Sequence, residues 1–394
     1  MITFDKALEI SLNQSITFGT EVISFEEATG RVLAESITSD MDIPPFNKSA
    51  MDGYACRRQD LALPLEVIEV IRAGVPPRKS VLPGKCSQIM TGAIIPDGAD
   101  TVIKVEECSI EGSDLHPVIK FMGEKTNPNI CYQGEDLRNG DIVLEAGVLL
   151  DTRHVPILAT VGKVFIKVYR LPSVGVLSTG TELVEPGEKP GVSQIRNTNA
   201  YQMIAQLAKI GIDCDYYGIA TDDEDITRNM ISEALANNDI LILSGGVSMG
   251  EFDFVPAVLQ SLDINVAFKQ VAIQPGKPTL FGTGRNKFVF GLPGNPVSSF
   301  FILELLVKPF IYKCMGHDWK PPVLRLRSAS RIERKKSNRL SWMPVRIDSE
   351  GMVHEIEYHG SAHIFSLGSA EGIIPVPIGK TIIEEGEFVD VRSI

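Results

Sequence analysis

The amino-acid sequence predicts a multidomain chain of mixed α/β and β class. A doubly wound α/β domain is expected over residues 171–322, a β-rich inserted domain over 25–136, a helical and extended connector domain over 1–24 with 137–170, and a small β-barrel over 323–394. Three observations carry this. At 394 residues the chain is too long for one ordinary hydrophobic core. Between 171 and about 320, apolar runs of strand length alternate with segments of helical period, the order of a parallel sheet flanked by helices. On either side, short apolar runs are split by Gly and Pro, which is the texture of β structure with tight turns.

Taken in order, Phe4, Ala7, Leu8 and Ile10 give residues 1–24 an amphipathic helix, which a polar turn ends near Asn13–Ser15. LPLEVIEVIRAGVPP (Leu63–Pro77) and ADTVIKVEE (Ala99–Glu107) mark the β-rich domain. Residues 137–170 read as a polar turn, a helix and a strand. The α/β domain opens with a strand at Ser173–Ser178 that runs into Thr179, Gly180, Thr181 and Glu182. A helix at Asn199–Ile210 turns Met203, Ile204 and Leu207 to one face, with Asn197 or Asn199 as its cap and Gly211 as its stop. A strand near Tyr216–Ala220 leads into Thr221-Asp222-Asp223 and a helix burying Met230, Ile231, Ala234 and Leu235. The next strand is Asp239–Leu243, followed by a helix through Val255, Val258, Leu259 and Leu262. A strand at Lys287–Phe290 runs through GLPGNPVS into a helix from about Val297. From Val323 onward, short alternating strands with glycine turns predict the barrel, and Arg331–Lys336 (RIERKK) is expected at a solvated hairpin tip.

Composition narrows the function. Hydrophobic content of 44%, charged content of 22% and a net charge of −12 describe a globular chain that a nucleic-acid backbone or an anionic membrane would repel. Its six cysteines are scattered without CxxC spacing, as in a reduced cytoplasmic protein. Asp5 and Glu9 interrupt any secretory signal at the start, and Glu304 and Lys308 break the apolar stretch Phe300–Phe310 below membrane-spanning length.

One stretch suggests chemistry. In DILILSGGVSMGEFDF (Asp239–Phe254), a buried strand ends in Ser244, Gly245, Gly246, Ser248 and Gly250, where backbone amides and hydroxyls can receive an anion. Glu251 and Asp253 then add carboxylates, so a phosphorylated ligand with a metal ion between the charges would fit. A glycine turn that merely closes the strand has the same composition. Four strand-to-helix junctions of this kind in one domain favour a shared site, because such junctions gather at the carboxyl ends of the strands.

Seven motifs in order now bear on identity: PPFNKSAMDGYA (Pro44–Ala55), MTGA (Met90–Ala93), GED (Gly134–Asp136), STGTEL (Ser178–Leu183), SGGVSMGEFDF, PGKP (Pro275–Pro278) and GLPGNPVS (Gly291–Ser298). With GSAHIFSLGSAEGII (Gly360–Ile374), they closely resemble the molybdopterin molybdenumtransferase family, the MoeA and gephyrin E-domain type, over essentially the whole chain. The resemblance implies a cytoplasmic enzyme that inserts molybdate into adenylylated molybdopterin and releases AMP with the help of Mg²⁺, giving the molybdenum cofactor. It implies a homodimer whose site lies between the molybdopterin-binding α/β domain of one subunit and the β-rich domain of the other. A molybdopterin adenylyltransferase and recipient molybdoenzymes are the expected partners.

By the same resemblance, Asp52, Thr91, Asp136, Glu182, Asp222 and Asp253 form the catalytic set, with Asp253, Asp222 and Glu182 as magnesium ligands. Gly180, Ser244, Gly245, Gly246, Ser248, Pro293, Gly294 and Asn295 contact the substrate, and Gln274, Lys277, Pro278 and Ser298 surround molybdate. These residue types suit the ligands: a tetrahedral dianion takes a lysine, hydroxyls and amides, and carboxylates beside phosphates require a cation. The chain departs from the pattern in two places. Gln274 stands where a lysine is common, with Lys269, Arg339 or Arg346 as compensating cations, and Cys131, Tyr132 and Gln133 stand where arginines precede GED. Adenylyltransferase-like activity and a non-catalytic pterin-binding or scaffold role are the alternatives, and tungstate could replace molybdate.

Overall fold

The computed structural model describes residues 1–113, 116–246, 254–334, 338–357 and 360–394. They form two compact units: Ser36–Glu145 with Arg153–Val164, and Met1–Glu35 with Ala146–Thr152 and Phe165–Ile394.

Helix α1 (Phe4–Gln14) is capped by the Thr3 hydroxyl, which accepts from Lys6 N, and buries Phe4 and Ala7 in the main core. Strand β1 (Thr20–Ser24) follows it.

The first compact unit holds a six-stranded sheet of β2 (Gly53–Cys56), β3 (Leu65–Ile71), β4 (Lys85–Ile89), β5 (Thr101–Lys104), β6 (Cys108–Ser113) and β7 (His116–Phe121), in the order β5-β2-β4-β3-β7-β6. Alternation puts Tyr54 and Cys56 in one apolar cluster and Ala55 in another, so strand β2 is buried on both faces. Cys56 and Cys86 stand opposite each other as free thiols. Burial, then the charge of Asp100, pushes Cys56 up to about 12, and burial raises Cys86 as well, so neither is a nucleophile. Helix α2 (His154–Thr160) belongs to this unit.

In the second unit β8 (Phe165–Tyr169) pairs antiparallel with β1. The α/β part comprises β9 (Val174–Thr179), α3 (Asn199–Ala208), β10 (Cys214–Ala220), α4 (Glu224–Asn237), β11 (Ile240–Ser244), α5 (Val255–Ser261), β12 (Asn265–Phe268), β13 (Leu280–Gly284), β14 (Lys287–Leu292), α6 (Pro296–Ile302) and α7 (Lys308–Cys314). Sheet order is β10-β9-β11-β14-β13-β12, with the first four strands mutually parallel and β13 antiparallel to both of its neighbours, β14 and β12. Sequence periodicity did not disclose β12 and β13. A π turn at Leu303–Val307 joins α6 to α7, and Phe301, Ile302, Leu303, Leu305, Leu306, Val307 and Phe310 are buried in the same core as Phe4 and Ala7. No helix of the described residues is long and apolar enough to cross a membrane.

The last part is a closed barrel of β15 (Val323–Ser328), β16 (Leu340–Ile347), β17 (Met352–Glu355), β18 (Gly372–Val376) and β19 (Phe388–Ser393). Its order is β16-β17-β15-β19-β18 and back to β16. The hairpin expectation for RIERKK is corrected in part. Ile332–Glu333 pairs with Ile382–Ile383, Ile332 is buried, and the Arg334 guanidinium donates to the carbonyls of Val376, Lys380 and Arg339. Lys335 and Lys336 lie outside the described residues.

Candidate active site

The carboxyl ends of β9, β10, β11 and β14 converge on one cleft of about 850 Å³. Its floor is the Ser244-Gly245-Gly246 turn, and the turn demands glycine. Gly245 has φ of +91° and Gly246 of +63°, and a Cβ on either would meet Thr179, at 2.5 Å from its carbonyl oxygen for Gly245 and 2.8 Å from Oγ1 for Gly246. Pro293, Gly294 and Asn295 form the facing wall. The barrel part supplies Ala362, Ile364 and Phe365 to the rim, and Asn295 Nδ2 donates to Ser361 Oγ at 2.9 Å.

Asn199 binds this floor together. Its Nδ2 donates to Ser244 Oγ at 2.7 Å and to the Gly294 carbonyl at 2.8 Å, which joins the loops after β11 and β14 to α3. Asn199 is therefore not the helix cap. That position is Thr198, which makes no side-chain cap bond, while Asn197 Oδ1 accepts from Ala200 N at 3.4 Å and from Ser178 Oγ at 3.1 Å. The capping expectation thus holds for Asn197, whose Oδ1 receives a first-turn amide of α3, and fails for Asn199, whose side-chain amide is taken by Ser244 and Gly294.

Two exposed acids face the cleft from different strand ends. Asp222 Oδ2 accepts from Thr181 N at 3.2 Å and from Thr181 Oγ1 at 2.9 Å, and its Oδ1 has no hydrogen-bond partner among the described residues. Glu182 lies against Gly180, where a Cβ would strike its carboxylate. Arg196 is the only lysine or arginine lining the cleft among the described residues. No group of three or more His, Cys, Asp or Glu side chains gathers for a metal among those residues. One or two carboxylates completed by substrate phosphates is nonetheless the usual magnesium arrangement, so Asp222 and Glu182 fit that ion.

Of the expected site residues, the cleft brings together Gly180, Glu182, Asp222, Ser244, Gly245, Gly246, Pro278, Pro293, Gly294 and Asn295. Ser248, Glu251 and Asp253 lie outside the described residues. Gln274, Lys277 and Ser298 do not line the cleft: Lys277 is exposed and Ser298 is buried on α6. Arg339 Nη1 donates to the Ile273 carbonyl at 3.1 Å, and its Nη2 stands 3.5 Å from Gln274 Oε1.

In the β-rich unit, Asp52 and Thr91 meet. Thr91 N and Oγ1 both donate to Asp52 Oδ1, at 2.6 and 2.9 Å, beside a concavity of about 560 Å³ that Lys104, Glu106 and Glu107 also line. The backbone bond, and then the hydroxyl bond, hold the Asp52 carboxyl below the usual carboxylate range. Asp136 is exposed in a turn of the same unit, with its N bonded to the Ile43 carbonyl, and does not line that concavity. Sequence reasoning missed Arg196, Asn197 and Asn199 as cleft residues. The one available signal was the polar run Ile195–Asn199 placed immediately before a helix.

A ligand cleft at the strand ends of a doubly wound sheet, with glycine turns and paired acids, is the architecture of a nucleotide- or cofactor-handling α/β protein. Residues 2–162 match the MoeA N-terminal region (domain I and II), 175–313 a probable molybdopterin binding domain, and 326–394 the MoeA C-terminal region (domain IV). A molybdopterin molybdenumtransferase from Haemophilus influenzae is 38% identical across 93% of this chain and 92% of its own. One from Staphylococcus epidermidis is 32% identical across 99% of this chain and 95% of its own. The crystal structure of the molybdopterin biosynthesis moeA protein from Pyrococcus horikoshii OT3 superposes with a TM-score of 0.86 at 29% identity, covering 100% of both chains. The chain belongs to the molybdopterin molybdenumtransferase family, a family of transferases.

Proposed function

We propose that this protein inserts molybdate into adenylylated molybdopterin and releases AMP, completing the molybdenum cofactor. The observation that carries the reading is the single cleft in which the Ser244–Gly246 turn faces two carboxylates from other strand ends, Asp222 and Glu182. Amides and hydroxyls of the turn, with the Pro293–Asn295 wall, bind phosphate oxygens and orient the linkage. Two carboxylates beside phosphates are self-consistent only with a cation, so Asp222 Oδ1 and Glu182 would hold Mg²⁺, which offsets charge on the phosphates and on the leaving AMP. Asp253 joins this set in the proposal. Molybdate is assigned to the Gln274–Pro278 loop, with Lys277 as its cation, Arg339 beside Gln274, and Ser298 as a hydroxyl donor.

Asp52, Thr91 and Asp136 are not among the residues lining this cleft, and the proposal has them supplied by the partner subunit of a homodimer. A molybdopterin adenylyltransferase would provide the substrate and a molybdoenzyme would take the product, in the cytoplasm. The test is direct. Purified protein with adenylylated molybdopterin, molybdate and Mg²⁺ should release AMP and yield active cofactor, and no AMP above a protein-free control overturns the reading. Mixing Asp52→Asn and Asp222→Asn subunits should restore part of the activity that each variant lacks. Failure to complement removes the shared site.

A further inference from the structure

Beside the cleft, and sharing Arg196, Asn197 and Thr198 with it, lies a second recess of about 490 Å³ that the mechanism above leaves unused. Glu185 and Tyr201 also line it. The Glu185 carboxylate is clamped by two phenols: Tyr201 Oη donates to Oε2 and Tyr216 Oη to Oε1, each at 2.7 Å. Asn197 Nδ2 donates to Tyr216 Oη at 2.8 Å, and Asn197 Oδ1 accepts from Ser178 Oγ, so an unbroken chain of hydrogen bonds ties Glu185 to strand β9. Each carboxylate oxygen can accept twice, and each phenol uses one lone pair. Glu185 is thus a rigidly held acceptor with capacity to spare.

At the junction of recess and cleft stands Arg196. Its Nε donates to the Pro186 and Glu188 carbonyls at 3.0 and 3.2 Å, which fixes the guanidinium plane, and its terminal nitrogens have no partner among the described residues. A fixed planar fork with free terminal donors suits a phosphate. The other described charges lining the cleft, Glu182 and Asp222, are negative, so an anion entering it meets one cation only.

We propose that this recess seats the planar, amino-bearing heterocycle of the phosphorylated substrate. Tyr201 offers a ring face, Glu185 accepts from the exocyclic amine, and Arg196 holds the adjoining phosphate. The inference rests on the proposed function, whose substrate carries two such rings, an adenine and a pterin. Aromatic faces stack on heterocycles of either kind, and the spare acceptor capacity of the Glu185 carboxylate favours a ring that carries the amine over one that lacks it.

Calorimetric titration of the full-length protein with AMP, adenosine, IMP and neopterin monophosphate tests it. The phosphorylated ring that binds more tightly identifies which half of the substrate the recess takes. If that ring is adenine, AMP should bind about tenfold more tightly than adenosine, and Arg196→Gln should erase the difference while leaving adenosine unchanged. Glu185→Gln should narrow the preference for AMP over IMP. Tyr201→Ala should weaken every ligand of the recess, whereas Tyr201→Phe, which keeps the ring, should retain most of the binding. If the pterin phosphate wins, Arg196→Gln should weaken it by about tenfold and Tyr201→Ala likewise. In AMP-release assays Arg196→Gln should raise KM with kcat nearly intact. Neither ligand binding, or Arg196→Gln binding and turning over like the wild type, overturns the recess. Absence of AMP release by the wild type would instead overturn the proposed function, with the titrations still judging the recess on their own.

Discussion

Asp239 and Asp222 stand at opposite ends of the parallel strands of one sheet and have opposite surroundings. Asp239, at the amino end of β11, accepts on Oδ2 from Ser173 N, Ser173 Oγ and Arg170 Nη2, all at 2.9 Å. Its charge is matched within the fold. Asp222, at the carboxyl end of β10, accepts only from Thr181 and has no basic partner among the described residues. The same residue type therefore does two jobs. A carboxylate with its own cation stabilises the chain, and one without, facing a cleft, is the candidate for a ligand's charge. In open α/β sheets the ligand end is the carboxyl end, and the difference between the two aspartates follows that polarity.

The largest test of this contrast is Asp222→Asn. Transfer measured as AMP release should fall by about 100-fold or more, with the thermal midpoint unchanged, because only charge facing the ligand is removed. Wild-type rates would break the comparison. Next comes the turn itself: Gly245→Ala forces a side chain into positive φ and against the Thr179 carbonyl, and should cost about 2 kcal/mol in urea denaturation. Asp239→Asn should lose about 1–2 kcal/mol of stability while activity per folded molecule is kept. Its pH dependence sharpens the point. Burial alone would raise the Asp239 carboxyl, but the bonds from Ser173 and Arg170 outweigh it and lower the pKa. A depressed folded pKa stabilises above the ordinary aspartate range and is lost as pH falls through the folded value. The stability gap between wild type and Asp239→Asn should therefore close in acid, and a constant gap would show that the charge contributes nothing. The smallest effect is expected at Thr91→Val, which deletes the hydroxyl bond to Asp52 and keeps the backbone bond. The Asp52 carboxyl should move only part of the way back toward its ordinary range in a ¹³C NMR titration.

What the sequence by itself determined is local. The alternation of strand and helix in the α/β domain, the glycine turn after β11, and the acids that follow β9 and β10 are all legible because periodicity, positive φ and strand termination are properties of a few consecutive residues. Motif resemblance supplied the family on the same local basis. Tertiary structure decided which polar groups line the cleft. Asn199 has the composition of a helix cap and becomes the tie between two loops only when Ser244 and Gly294 come within reach. Arg196 reads as an ordinary surface arginine until the fold places it in the cleft lining with two backbone carbonyls on its Nε. Arg334, inside a run that reads as solvated, is spent on three carbonyls of the barrel part. Each of these outcomes depends on partners far along the chain, and a hydrogen-bonding side chain takes whichever partner the fold brings within about 3 Å.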